Sequence, residues 1–273
     1  MESNIYKSTQ VSPILLHVAN TILCNYSMTT TPNLINGRMG VCLFLYEYAR
    51  FTGIKEYEDI ADEMMDLILK ILHKGQDEDN ISSLSGIGIG VIYLITHQFL
   101  EDTDDHDSLE DVDKYLLKTI ESANEPSEIV VQSALYFIYR FLHYWIGLDR
   151  KYCSKLSEKL VKLFQDYKDT IEIDSRMSAY ILQNAAIIYK MSQNPEVFTC
   201  EYNAISLDVI QKDGQNQITA ESMWNSFLLG RKTFGSGIDE NSLLNLCQNC
   251  FYDADRTVGL LCSCGLMLMD QNN

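Results

Sequence analysis

Proline is scarce in this 273-residue chain. The four, at positions 13, 32, 126 and 195, all fall in or beside proposed connections or at a helix start, which leaves the helix interiors free of breakers. Basic charge is scarce too: Lys and Arg total 21 against 38 Asp and Glu, a formal charge of -17. Such a surface repels nucleic acid and anionic membranes and favours basic partners, so nucleic-acid binding is not expected. No uncharged apolar run is long enough to span a bilayer, which excludes membrane insertion as an expectation. The start, MESNIYKSTQ, is polar with an acid at position 2, unlike a signal peptide, and the expected location is cytoplasmic. Eight cysteines lie scattered, mostly in apolar runs, where a reduced thiol packs as a small hydrophobe rather than in a secreted disulfide scaffold.

What remains is helix. With 46 % hydrophobic residues the chain can bury a full core, and its apolar positions recur at helical spacing almost throughout. Ile14, Leu15, Val18, Ala19, Ile22 and Leu23 share one face of a helix near 11–26, with Ser12 as its cap and Pro13 as its first residue. The polar turn TTTPNLING leads into 38–51, which is apolar nearly all round and closes at Gly53 in a left-handed cap. A one-sided helix over 55–72 follows. The alternation of covered and one-sided helices continues: 86–99 with 109–121, 129–145 with 150–167, 176–191 with 199–211, 219–231 with 239–251, and a covered helix over 257–269. Anchors at Gly40, Gly90, Ala134, Ala185, Ser226 and Gly265 are spaced 50, 44, 51, 41 and 39 residues apart, the periods of helical-hairpin repeats.

The two chain ends complement each other. The first segment is of the one-sided type and has no covered partner before it, while the last, VGLLCSCGLMLM, is a covered helix followed by four residues. Joined, they complete a pair. We therefore expect an all-α fold, a single domain over 1–273 formed as an α/α toroid of about six inner and six outer helices.

SSLSGIGIGVIYLI, residues 82–95, sets Gly86, Gly88 and Gly90 before an apolar run. Glycine in a helix costs about 1 kcal/mol relative to alanine, so the cluster predicts a tight turn at the helix start. It lacks the spacing and the lysine of a nucleotide loop. NGRMGVCLFLYEYARFTGIKEYEDIADEMMDLIL (36–69) and SLSGIGIGVIYLI (83–95) resemble the N-terminal repeats of lanthionine synthetase C-like proteins. Gly37, Gly40, Gly86 and Gly90 match the glycine-rich turns of that family, which builds a double-layered α/α toroid.

The resemblance implies a part in modifying ribosomally made peptides. Catalytic members hold zinc with two cysteines and one histidine, and the metal activates a precursor's cysteine thiol for addition to a dehydrated residue. Carried over residue by residue, the tryptophan-cysteine pair falls on Trp224 and Asn225, and the cysteine-histidine-glycine triplet on CSCG, where Cys262 precedes Ser263 and Cys264 precedes Gly265. The active histidine falls near Ala179 and Tyr180. The expected cofactor is therefore none, with Cys262 and Cys264 the residues that would hold a zinc ion. Peptide contacts are expected at Trp224, Arg38 and Tyr180, and the partner is a peptide or a peptide-modifying enzyme. An α/α-toroid enzyme with a non-standard site is the alternative.

Three further patterns have plainer readings. Cys247, Cys250, Cys262 and Cys264 form C-x2-C-x11-C-x-C, which could hold zinc but fits dispersed core thiols better. EDTDDHDSLEDVD (101–113) has eight acids and no Lys or Arg, and reads as a solvated loop. FIYRFLHYW (137–145), with Arg140 and His143, reads as core packing that could also line a pocket.

Overall fold

Helix caps set the first elements. In the computed structural model, which describes residues 11–74, 81–101, 107–144, 150–166, 240–250 and 254–271 together with Ile181 and Ala185, α1 runs Pro13–Asn25. Ser12 caps it, its hydroxyl accepting from the Leu15 N–H at 3.3 Å, and Pro13 supplies the first turn. A short 3-10 turn, Tyr26–Met28, follows. Helix α2, Arg38–Thr52, ends at Gly53 with φ 71°, where its N–H bonds the Ala49 carbonyl at 2.8 Å. The left-handed cap is as the sequence predicts.

The remaining helices are α3 (Lys55–Lys74), α4 (Ile81–Thr96), α5 (Asp107–Ser122), α6 (Glu128–His143), α7 (Arg150–Asp166), α8 (Glu240–Cys250) and α9 (Ala254–Gln271). Among the described residues every regular element is helical. The segments expected to be helical over 176–231 lie outside the described residues, apart from Ile181 and Ala185, which are helical.

Covered and one-sided helices separate as expected. In α2, Met39 to Tyr46 are buried without a break, and each fully buried Leu or Phe there contributes about 1.5–3 kcal/mol. Among the described side chains of α3 the Ala61, Met64, Met65 and Ile68 face is buried, while Glu56, Glu58, Asp59, Glu63 and Asp66 stay in water. Helix α6 buries Val130, Val131, Ala134 and Tyr136 to Tyr139, whereas α7 buries only its Cys153, Leu156, Leu160, Leu163 and Phe164 side.

The chain divides into two compact units, Met1–Asp77 with Gln217–Asn273, and Glu78–Asn216. In the first, α9 packs on α1, α2 and α8, and α2 packs on α3. The first and last helices of the chain are therefore neighbours, as their complementary faces predict. In the second, α4 packs on α5 and α6, and α5 on α6 and α7.

The same packing unit occurs in both. A Cβ at Gly265 of α9 would lie 3.0 Å from Cδ2 of Phe44 on α2 and 3.3 Å from Cγ1 of Val18 on α1. One at Gly88 of α4 would lie 2.9 Å from Cδ2 of Tyr136 on α6 and 3.2 Å from Cγ1 of Val112 on α5. In each unit a helical glycine thus accepts an aromatic ring from one neighbour and a valine from the other. This corrects two sequence-based expectations. The glycine cluster lies inside α4, which begins at Ile81 because Leu84 and Ser85 are already buried, and its work at Gly88 is close packing rather than a turn. The register also moves: Gly265 corresponds to Gly88, where periodicity paired it with Gly90.

Candidate functional site

The turn before α2 is wound on itself by its own polar side chains. Asn33 Oδ1 accepts from the Asn36 N–H at 3.1 Å, and the Thr31 hydroxyl donates to the Asn36 carbonyl at 3.2 Å. The first helical N–H groups are used up within it: Arg38 donates to the Thr31 carbonyl at 2.9 Å and Met39 to the Asn33 carbonyl at 3.2 Å. These bonds satisfy donors that a helix start otherwise leaves open. Gly37 is obligatory here, because a Cβ would lie 2.5 Å from both N and Oδ1 of Asn33.

Helix α9 holds the turn from the other side. A Cβ at Gly259 would land on the Ile35 carbonyl oxygen and lie 2.7 Å from Asn36 Oδ1. Backbone therefore meets backbone across this contact. Arg38 is half-buried beside it, and its Nε donates to the Thr29 carbonyl at 3.0 Å. Thr29 is fully buried, yet its hydroxyl and the buried Asn36 Oδ1 have no hydrogen-bond partner among the described residues. The result is a rigid polar turn that carries one arginine.

The cysteines of α9 are placed differently. Cys262 is fully buried, and burial first, then the neighbouring Cys250 and Cys264 thiols, push its pKa well above the ordinary thiol value. Cys264 packs with Leu243 and Met267, and burial pushes its thiol up to about 12. Cys247 and Cys250 are buried on α8 and raised for the same leading reason. Two residues apart on a helix, the Cys262 and Cys264 side chains leave the axis about 200° apart and do not converge on one ion. Ser263, between them, is buried and donates to the Leu260 carbonyl at 2.9 Å. As placed, Cys262, Ser263 and Cys264 do not together form a ligand set for one zinc ion. Among the described residues, no three His, Cys, Asp or Glu side chains gather as a metal site would need.

The second unit contains a buried polar network. Tyr136 on α6 donates to Asp113 Oδ1 at 2.5 Å, and Arg140 Nη2 reaches Asp113 Oδ2 at 3.4 Å. Arg140 also donates through Nη1 to the Tyr144 carbonyl and lies 4.8 Å from the centre of the Tyr144 ring. It thereby ties down the end of α6. Arg140 is thus a packing residue, as one reading of FIYRFLHYW holds, while His143, exposed, tilts against Tyr139 with ring centres 4.3 Å apart.

Of the residues expected to act, Arg38 lies at the α2 turn and Cys262 and Cys264 in the core around α9. Trp224 and Tyr180, with Asn225 and Ala179, lie outside the described residues. Sequence reading missed Thr29, Asn36 and Gly259. Their only signal is the polar run TTTPNLING, which marks a turn without naming what packs on it.

The lanthionine synthetase C-like protein family matches residues 29–184, more than half of the chain, and the chain belongs to that family. The match begins at Thr29, the first residue of the turn described above, and takes in α2 to α7. Comparison with curated proteins and with solved structures gives no match. No helix among the described residues is long and apolar enough to cross a membrane.

Proposed function

We propose that this chain is a lanthionine synthetase C-like protein that takes part in the modification of ribosomally made peptides by binding a peptide or a partner enzyme, without the family's zinc chemistry. The observation that carries this reading is the state of α9: its two candidate ligands are buried thiols on different sides of one helix, and the resemblance aligns Ser263 with the family's histidine. Family membership supports the peptide, and the turn carrying Arg38 supports binding. We also propose that the helices close into an α/α toroid; the packing of α9 on α1 and the repeated glycine, aromatic and valine unit favour closure.

The reading has a direct test. Incubated near neutral pH with a dehydrated, cysteine-containing peptide, the protein binds it, and thiol is lost no faster than in a control without protein, since a free thiol reacts only through its small thiolate fraction. Acceleration that disappears on chelation would overturn the reading. Failure to bind any such peptide would overturn peptide binding and leave a partner enzyme as the guest.

A further inference from the structure

We infer that Arg38 is a specificity residue that takes a carboxylate of the bound peptide, an inference that rests on the peptide-binding reading above. In a chain of formal charge -17, the other arginines with described side chains are paired with acids, Arg50 with Glu47 at 3.9 Å and Arg140 with Asp113 at 3.4 Å. Arg38 has no acidic partner among the described residues. Its guanidinium is instead oriented by neutral oxygen, the Nε bond to the Thr29 carbonyl.

Position adds to this. Arg38 is the first residue of α2, where the helix dipole places positive potential. The backbone N–H groups of Arg38 and Met39 are already bonded within the turn, so an anion here is received by the side chain rather than by the helix backbone. Beside it, the buried Thr29 hydroxyl has no hydrogen-bond partner among the described residues. With Nε fixed, the two Nη groups offer the planar fork that matches a carboxylate, and the turn that holds them is tied by its own hydrogen bonds. The carboxylate is either the peptide's C-terminus or an acidic side chain.

Three peptides separate these sources: N-acetyl trialanine with a free C-terminus, the same peptide amidated, and an amidated peptide with one central aspartate. Each is titrated into the 15N-labelled full chain, following the Arg38 Nε–H signal, assigned by its loss in Arg38→Lys, and the Gly37 amide. We expect one or both carboxylate peptides to shift these signals saturably and the neutral peptide to bind about tenfold more weakly or worse. In Arg38→Gln, followed at Gly37, that preference disappears, with a retained cooperative thermal melt as the control for folding. Arg38→Lys keeps the charge but not the fork, and retains only part of the preference. Equal binding of all three peptides would overturn the inference while leaving peptide binding intact. Binding of none would overturn the inference, while the dehydrated peptide above tests peptide binding separately. A preference that survives in Arg38→Gln would place the carboxylate elsewhere.

Discussion

Asp113→Leu destabilises the chain by about 3–5 kcal/mol, because it leaves the Arg140 guanidinium buried without its carboxylate. Arg140 is only 2 % exposed, so water cannot replace the lost partner. The buried Tyr136 hydroxyl loses its acceptor in the same step. Urea unfolding followed by circular dichroism measures the loss. The double variant Asp113→Leu with Arg140→Met recovers most of it, since a buried ion pair replaced by apolar groups of similar size is often neutral or better. Additive losses in the double variant would contradict the pairing.

The same carboxylate predicts a pH dependence. Burial raises the Asp113 pKa, and this outweighs the lowering by Arg140 and by the Tyr136 hydroxyl. The folded value therefore lies above the unfolded one of about 3.9. As pH falls, the folded chain takes up this proton first. Its stabilising contribution is complete below the unfolded pKa and is lost as pH rises through the folded one. Relative to Asp113→Asn, which has no such proton, the wild-type chain gains stability as pH is lowered across that window.

Gly259→Ala costs about 3 kcal/mol or more, at the upper end for overpacking, because the added methyl would fall on the backbone of Ile35. A flexible side chain could turn away; a carbonyl in a turn held by its own hydrogen bonds cannot. The turn must therefore leave α9, taking with it the carbonyl that orients Arg38. Thermal and urea unfolding should show the loss of stability. The carboxylate preference of the peptide titration should weaken in the same variant. A change within about 0.5 kcal/mol would mean that the two backbones are not in contact.

Much of the fold is legible along the chain because helix ends and faces are local properties. Ser12 with Pro13 marks the start of α1, Gly53 marks the end of α2, and burial on one side or all sides distinguishes α3 from α2. Even the meeting of α1 and α9 follows from faces that lack partners. Pairwise partners are another matter. Periodicity shows that Gly88 is unusual but not that Tyr136 fills the space over it; the helical cost of the glycines is visible in the sequence and predicts a helix start there, while the ring that offsets it is not.

The polar groups follow the same division. Asp113 sits on a helix face with Leu109, Val112 and Leu116, and Arg140 among aromatics, so each is conspicuous alone. That the two are one pair depends on the packing of α5 against α6. At the candidate site, Arg38 is legible as a charge at a helix start. Thr29 and Asn36 become notable only once burial removes their solvent, and Gly259 only once the last helix is laid against the first turn.

The most direct measurement is the metal content of the purified full chain, by mass spectrometry under conditions that retain tightly held ions. The buried, divergent thiols of Cys262 and Cys264, with Ser263 between them, predict no stoichiometric zinc. One zinc per chain, lost in the Cys262→Ser and Cys264→Ser variant, would contradict this account and return the protein to the zinc-dependent members of its family.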